Sequence, residues 1–461
     1  MKTQLLVAAV LSALCLSACR PAQDALVRIP VPPRPAGQQD MIGFAAEPMD
    51  TVRIGIIGLG MRGPGAVKRM TCIEGAKIVA LCDLYETGVR KAQEILAAAG
   101  KPAAAEYFGD AECWRKLAER DDLDLVYIVT DWKNHAPMAK YAMECGKHAA
   151  VEVPAAPSLA ELWDLIDTSE RTRRHCMMLE NCVYDFFELT TLNMAQHGLF
   201  GEIVHAEGGY IHTLDEFWDL YWDDWRMRFN RENRGDVYPT HGIGPVCQAL
   251  NIHRGDRMTR LVTMDTRSWR GTQLWEKKYG PIPEGEPAFQ NGDHTMTMIQ
   301  TEKGKTILIE HDVMTPRPYD RLYQLTGTKG FANKYPVQGF MFAQDELGGE
   351  VEVENLEAHK FVPDAVRDKL LEEYKHPIAR ELEESARRVG GHGGMDYIMD
   401  YRLIYCLRKG LPLDMDVYDL AEWSCLGELS RISLEHGNAP VEIPDFTRGA
   451  WDKLPGFSLA L

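Results

Sequence analysis

The stretch Thr51-Val-Arg-Ile-Gly-Ile-Ile-Gly-Leu-Gly-Met-Arg-Gly63 constrains the fold more than any other part of the chain. Residues 52–57 carry β-formers and then run apolar, which predicts a buried strand. Gly58, Gly60 and Gly63 then set a G-x-G-x-x-G spacing, and a helix is predicted over 64–71. In a dinucleotide site Gly58 makes the tight turn, Gly60 lets the backbone approach a pyrophosphate, and Gly63 lets helix and strand pack closely. The free N–H groups of the helix start hold the phosphates. The triplet alone would also fit a glycine-rich turn in some other α/β unit. What favours a dinucleotide is a second apolar run, Lys77-Ile-Val-Ala-Leu-Cys82, which ends in Asp83, 20 residues after Gly63. A carboxylate there meets the ribose hydroxyls. Leu84 and Tyr85 follow, with no Arg to favour a 2′-phosphate, so NAD is expected rather than NADP.

Strands and helices alternate from 51 to 180. Further strands are predicted at 123–129, 148–152 and 175–180, with helices near 85–99, 134–146 and 158–172. Such alternation demands a parallel, doubly wound sheet with right-handed crossovers, and ligands gather at the C-terminal ends of its strands. The expected fold is therefore an α/β Rossmann domain over 51–180. After 180 the pattern changes. A strand is expected at 202–212, a Trp- and Asp-rich loop at 218–225, and a helix at 240–252. Paired strands are expected near 258–266, 293–301 and 304–312, the last two forming a hairpin. Helices are expected at 378–389, 395–408 and 416–434. Residues 181–461 thus read as a C-terminal α+β domain with a mostly antiparallel sheet that carries substrate and catalytic groups.

The net charge of −17 over 461 residues argues against nucleic acid, whose phosphates would be repelled, and against electrostatic docking to anionic lipid. Lys2 leads an apolar run from Leu5 to Leu14, too short to span a bilayer comfortably, followed by Leu16-Ser17-Ala18-Cys19. Residues 1–18 resemble a bacterial lipoprotein signal with Cys19 as the lipidated residue; a plain secretory signal is the alternative. Either places the protein in the cell envelope, periplasmic or at the cell surface, with a lipid anchor to the membrane in the first case. Residues 19–50 are Pro-rich and read as a tether that hugs the surface or stays mobile. Of 11 cysteines, nine remain after Cys15 and Cys19 are set aside; they are scattered and form no C-x-x-C. Cys72, Cys82, Cys176 and Cys247 sit in apolar contexts and are expected as buried small hydrophobes, with room for one or two disulfides in an exported protein. His205, His212 and His253 lack metal-ligand spacing, so no metal is expected. Asp223 and Asp224 fit a solvated loop better than a hydrolytic pair.

This two-part organisation resembles the glucose–fructose oxidoreductase and inositol dehydrogenase family, which usually carries Glu-Lys-Pro at the end of the fifth strand. Here the tripeptide is Glu152-Val153-Pro154, and Val cannot carry a proton. Further motifs point to one branch: Met177-Met-Leu-Glu-Asn181, Gly201-Glu-Ile-Val-His205, Tyr238-Pro-Thr-His-Gly-Ile-Gly-Pro-Val-Cys-Gln248 and Asn251-Ile-His-Arg-Gly-Asp-Arg257. They resemble the NAD-dependent glycosidases of glycoside hydrolase family 109, the α-N-acetylgalactosaminidases, over about 51–455. The resemblance implies NAD contacts from Met61, Arg62, Asp83, Trp132, Lys133, Asn134, His135, Glu152, Val153 and Asn181. It implies sugar contacts from Tyr210, Arg226, Tyr238, Pro239, Thr240, His241 and Tyr319, with Arg228 competing for the role of Arg226. It also implies a glycan substrate ending in N-acetylgalactosamine, and a homodimer by analogy with the wider family.

The implied route is redox-assisted. C3 of the sugar is oxidised by NAD, the ketone acidifies the C2 proton, the C1 substituent leaves by elimination, water adds, and the ketone is reduced again. Such a route needs a proton shuttle near neutral pH and not a carboxylate pair. His241 is the candidate shuttle, Tyr319 the second acid/base, and Tyr238 with Arg226 would grip hydroxyls or developing charge. His392, in Gly390-Gly-His-Gly-Gly394, either lines the same pocket or belongs to a glycine-rich turn before a helix. A sugar or cyclitol oxidoreductase, or a binding protein without turnover, would share much of this pattern.

Overall fold

The computed structural model describes residues 26–343 and 359–461. The signal segment 1–18 and Cys19 lie outside the described residues. The first half forms a six-stranded sheet from β1 (Val52–Ile57), β2 (Ala76–Cys82), β3 (Ala105–Tyr107), β4 (Leu125–Ile128), β5 (His148–Val151) and β6 (Cys176–Met178), in the order β3-β2-β1-β4-β5-β6. Every pairing in it is parallel. β1, β4 and β5 are buried almost throughout because helices cover both faces, which is why their sequences run apolar instead of alternating.

The second sheet contains β7 (Ile203–Ile211), β8 (Met258–Asp265), β9 (Thr295–Thr301), β10 (Thr306–Asp312), β11 (Tyr323–Gly327), β12 (Gly330–Asn333), β13 (Gly339–Phe342) and β14 (Val441–Glu442). Their order is β13-β12-β11-β7-β10-β9-β8-β14, and all pairs are antiparallel except β7 with β10. Helix Thr240–Ala249 crosses directly onto β7. The crossing is allowed by glycine: a Cβ on Gly208 would lie 2.2 Å from the Gly242 carbonyl oxygen. This contact brings the start of that helix against the side chain of Tyr210.

Several elements differ from expectation. The region expected as one helix over 416–434 is two, Val417–Ser424 and Leu426–Glu435, broken at Cys425. Helices Cys113–Ala118, Trp225–Glu232, Arg270–Tyr279 and Asp364–Glu373 and strands β11 to β14 lacked a clear periodic signal. Cys72 is exposed, contrary to expectation, whereas Cys82, Cys176 and Cys247 are buried. Residues 26–50 run over the body: Val27 bridges Val441, Arg34 reaches the buried Glu170 carboxylate at 2.9 Å, and the Met41 N–H donates to the Tyr418 hydroxyl at 3.0 Å. Among the described residues no helix is long and apolar enough to cross a membrane.

The two halves share buried ion pairs. Asp400, on helix Met395–Lys409, accepts from Arg69 Nε at 2.6 Å and from the Tyr127 hydroxyl at 2.8 Å. Arg69 lies on the helix after the glycine loop and Tyr127 on β4. Removing one partner of such a buried pair typically costs about 3–5 kcal/mol.

Candidate active site

The glycine loop is built as a cradle. Gly58 has φ +94°, and a Cβ there would meet the Val129 carbonyl oxygen at 2.4 Å; a Cβ on Gly63 would lie 2.2 Å from the Gly58 oxygen. Both positions therefore exclude a side chain. Gly60 faces open space instead, so its backbone is free for a diphosphate to approach. Asp83 sits beside the loop. Its Oδ2 accepts the Leu59 N–H at 2.6 Å and its Oδ1 the Tyr85 N–H at 2.8 Å, which fixes the carboxylate at the strand end. Loop, open approach and fixed acid together fit a nicotinamide dinucleotide.

A cavity of about 860 Å³ runs from Met61 and Arg62 to the second domain. Arg62 spans its floor, with Nε 3.3 Å from Glu152 Oε1 and Nη1 3.6 Å from Asp396 Oδ2. Burial opposes the guanidinium charge, but Glu152 and Asp396 outweigh it and hold Arg62 firmly protonated.

The far wall carries a hydrogen-bonded chain. Glu180 is fully buried just after β6, and its Oε1 lies 2.7 Å from His241 Nδ1. His241 Nε2 lies 3.1 Å from the Tyr238 hydroxyl. Burial pushes the Glu180 carboxyl up, but the charge and hydrogen bond of His241 and the Cys182 N–H outweigh it and hold the group below its ordinary value. A carboxylate at Nδ1 fixes the ring with its proton on that nitrogen, leaving Nε2 as the acceptor for the Tyr238 hydroxyl. Burial and the neighbouring Tyr210 push the Tyr238 phenol well up, so it loses a proton only as another group takes it.

Arg226 is clamped by aromatic rings, its guanidinium 4.6 Å from the Tyr238 ring centroid and 5.2 Å from those of Trp132 and Tyr221. Trp132 in turn stacks on Tyr238 at 5.5 Å. Tyr210 lies 4.9 Å from Tyr238 and 5.1 Å from His241, ring to ring, and burial pushes its phenol up to about 12. His212, beside it, is pushed down to about 4 by burial and stays neutral at physiological pH. Tyr319 is 47% exposed and stands at the rim, 5.0 Å from His212.

The structure thus gathers Met61, Arg62, Trp132, His135, Glu152, Val153, Tyr210, Arg226, Tyr238, His241 and Tyr319 around one cavity. It separates Arg226 from Arg228, which is exposed and donates to the Asp223 carbonyl. Other expected contact residues do not line the wall. Lys133 points to solvent and pairs with Glu232 at 3.3 Å, because it occupies the outer face of helix Trp132–Glu144. Asn134 is spent on Asp131 at the same helix start. The Asn181 amide turns to Asp396 at 2.5 Å. Pro239 and Thr240 are taken up in starting helix Thr240–Ala249, with Thr240 fully buried. Asp223 and Asp224 have left-handed backbone, and Asp224 binds Lys278 and Tyr279 away from the cavity floor.

Glu180 was given no role from sequence and belongs here, as does His392, whose two readings were left open. Glu180 had one usable signal: it is an acid at the C-terminal end of a parallel strand, where ligands gather. His392 lines the cavity, as one of its two expected readings required, and its Nδ1 sits 3.0 Å from Asp396 Oδ2. Glu180, Cys182 and His241 bring potential metal-ligand atoms within 4.8 Å. Arg321 Nη1 lies 3.1 Å from Cys182 Sγ, however, and a fixed guanidinium there opposes a second cation.

Comparison with known proteins follows this division. Residues 52–180 match the oxidoreductase family with NAD-binding Rossmann fold, and residues 184–453 match the C-terminal domain of glycosyl hydrolase 109. Glycosyl hydrolase family 109 protein 1 of Phocaeicola vulgatus is 62% identical over 453 residues, covering 96% of each chain. Glycosyl hydrolase family 109 protein of Porphyromonas gingivalis is 60% identical, covering 97% of each. Among solved structures, levoglucosan dehydrogenase with NADH and levoglucosan is similar with a TM-score of 0.63 at 16% identity, covering 86% of this chain and all of that one. Myo-inositol dehydrogenase of Lactobacillus casei with NAD(H) and myo-inositol gives 0.53 at 16% identity, covering 86% of this chain and 99% of that one.

Proposed function

The chain belongs to glycosyl hydrolase family 109, and from that premise we propose that it hydrolyses glycosides of terminal α-N-acetylgalactosamine by redox-assisted elimination. It is an NAD-binding enzyme that acts on sugars. NAD would be held by the glycine loop and Asp83 and would supply reversible oxidation at C3 of the sugar. The chain's own groups do the rest. Arg226 and Tyr210 grip ring hydroxyls and steady charge that develops on the C3 oxygen. The Tyr238 phenol takes the C2 proton as it passes its own to His241 Nε2, and Glu180 stabilises the imidazolium that forms. The position that carries Lys in the wider family is the apolar Val153, so proton handling falls to this chain.

The leaving oxygen at C1 needs an acid. His392 and Tyr319, which also line the cavity, are the candidates to give it. The observation that carries the reading is the Glu180–His241–Tyr238 chain, aimed into the cavity that the glycine loop floors. The test is incubation with an aryl α-N-acetylgalactosaminide in heavy water. Aglycone release with deuterium at C2 of the product is the expected result; release with C2 protium fully retained would sink the elimination, and stoichiometric NADH release with intact glycoside would make the protein an oxidoreductase.

The same proposal includes the envelope location, with residues 1–18 removed and Cys19 carrying lipid, which metabolic labelling with a tagged fatty acid reads directly. It also includes a homodimer through the open face of the second sheet, where Met264, Met296 and Met298 are exposed on adjacent strands. Sedimentation of the purified chain distinguishes monomer from dimer.

A further inference from the structure

Cys82 and Cys113 lie 31 residues apart in sequence, yet their Sγ atoms are 3.3 Å apart. Both are buried, at 1% and 6% exposure. Cys82 is the last residue of β2, directly before Asp83, and Cys113 is the first residue of helix Cys113–Ala118. The turn between β3 and that helix also brackets the strand end: the Asp83 N–H donates to the Tyr107 carbonyl at 3.1 Å, and the Gly109 N–H to the Leu84 carbonyl at 3.1 Å. Cys113 Sγ itself lies 3.9 Å from the Asp83 carbonyl oxygen. The two sulfurs therefore sit beside the backbone of Asp83, whose carboxylate would meet the ribose of a bound NAD.

We propose that Cys82 and Cys113 form a disulfide that staples the ribose corner of the dinucleotide site. A bonded pair has its sulfurs about 2.05 Å apart, so closing this one needs an approach of roughly 1.3 Å. Helix Cys113–Ala118, which packs on β1, β2 and β3 and is anchored by the fully buried Leu117, has to shift together with the two side chains to supply it. The oxidant is a small-molecule disulfide. One cysteine thiolate attacks a sulfur of the oxidant, giving a mixed disulfide and releasing one thiol. The second cysteine then displaces the other half as a second thiol. Two cysteine protons and two electrons leave the protein in all, and one S–S bond forms.

Burial, with Cys113 alongside, pushes the Cys82 thiol far up. Exchange is therefore slow in the closed fold and proceeds while the chain folds, or when this edge of the sheet opens. The same burial then shields the bond from reduction. Its effect is local. The loop it closes contains helix Glu86–Ala98 and β3, so the staple fastens the outer edge of the parallel sheet to the strand that presents Asp83.

The test uses the full chain refolded in oxidised glutathione, alkylated under denaturing conditions without reductant, digested and analysed by mass spectrometry. A reductant-sensitive peptide pair joining Cys82 to Cys113 is expected, with melting lowered by roughly 5 °C on reduction of the wild type and unmoved by reductant in Cys113→Ser. Alkylation of both cysteines in the refolded protein would overturn the proposal. So would a reductant effect of equal size in Cys113→Ser.

Discussion

Glu180 Oε1 stands 2.7 Å from His241 Nδ1, so the end of the parallel sheet orients the imidazole that begins a helix of the second domain. Exchanging the carboxylate for an amide removes the charge and leaves the shape. Glu180→Gln is expected to lower kcat by about ten- to a thousandfold and to change the form of the pH–rate profile, with bound NAD retained. His241→Ala is expected to lose about two to four orders of magnitude. Steady-state kinetics on an aryl glycoside across pH, with NAD content read by absorbance, checks both; an unaltered rate in either variant removes that residue from the proton path.

The leaving-group acid is open to a chemical test. A variant that lacks it should keep most activity on a nitrophenyl glycoside, whose leaving group needs little protonation, and lose it on an alkyl glycoside. His392→Ala and Tyr319→Phe are to be compared on the two substrates. The one showing the larger gap identifies the donor, and equal ratios in both would mean that neither donates.

Arg226 is buried among three aromatic rings while Arg228, two residues on, faces solvent. A lost charged hydrogen bond to a sugar hydroxyl costs roughly 1.5–3 kcal/mol, so Arg226→Lys should raise KM by about ten- to a hundredfold. Arg228→Ala should stay within about twofold of the wild type, since surface changes away from special features have small effects. Comparable losses from both would refute the assignment.

Gly60 and Gly63 separate binding from folding. Nothing lies within 4 Å of a Cβ built on Gly60, whereas one on Gly63 meets backbone at 2.2 Å. Gly60→Ala should fold with an unchanged melting temperature once NAD is stripped, yet retain NAD at least about tenfold less tightly, because the methyl enters the diphosphate's approach. Gly63→Ala should melt lower or fail to fold. Calorimetry of stripped protein and NAD titration give the two readouts.

Asp236 sits fully buried two residues before Tyr238, and burial pushes its carboxyl up to about 7 against the opposing Tyr238 N–H and His294 charge. A carboxyl that keeps its proton in the fold but loses it near pH 4 when unfolded stabilises the fold at low pH. That stabilisation fades as pH rises from about 4 to about 7. Asp236→Asn should therefore gain on the wild type as pH rises through this window, by up to a few kcal/mol. Denaturant melts at pH 4.5 and pH 7.5 decide it; a constant difference between the two proteins would refute the shift.

The Rossmann half was legible because its strands are covered on both faces and read as continuous apolar runs, and because the glycine spacing has one physical meaning in that setting. Strands β11 to β13 were not legible, since they are only four or five residues long and each carries a glycine. The break at Cys425 was hidden because both flanking helices keep an apolar face. In the site, Tyr210 and His241 could be named, but their meeting depends on a glycine-to-glycine crossing that no local pattern signals. Glu180 was visible only as an acid at a strand end. Lys133 and Asn134, neighbours of Trp132 in sequence, turn outward with the helix, and adjacency along the chain says nothing of facing the same cavity.

Asp400 ties the two halves of the chain together. Its two partners, Arg69 and Tyr127, lie in the nucleotide-binding half, while it hangs from a helix more than two hundred residues downstream. A fragment ending at residue 180 would keep the whole parallel sheet yet lose the helix that covers Arg69 and Tyr127, leaving the apolar surface around them open to water. The first half is thus a topological unit without being a free-standing one. Severed expression of it should give insoluble chain, and grafting the nucleotide site onto another scaffold would have to carry that distant helix along.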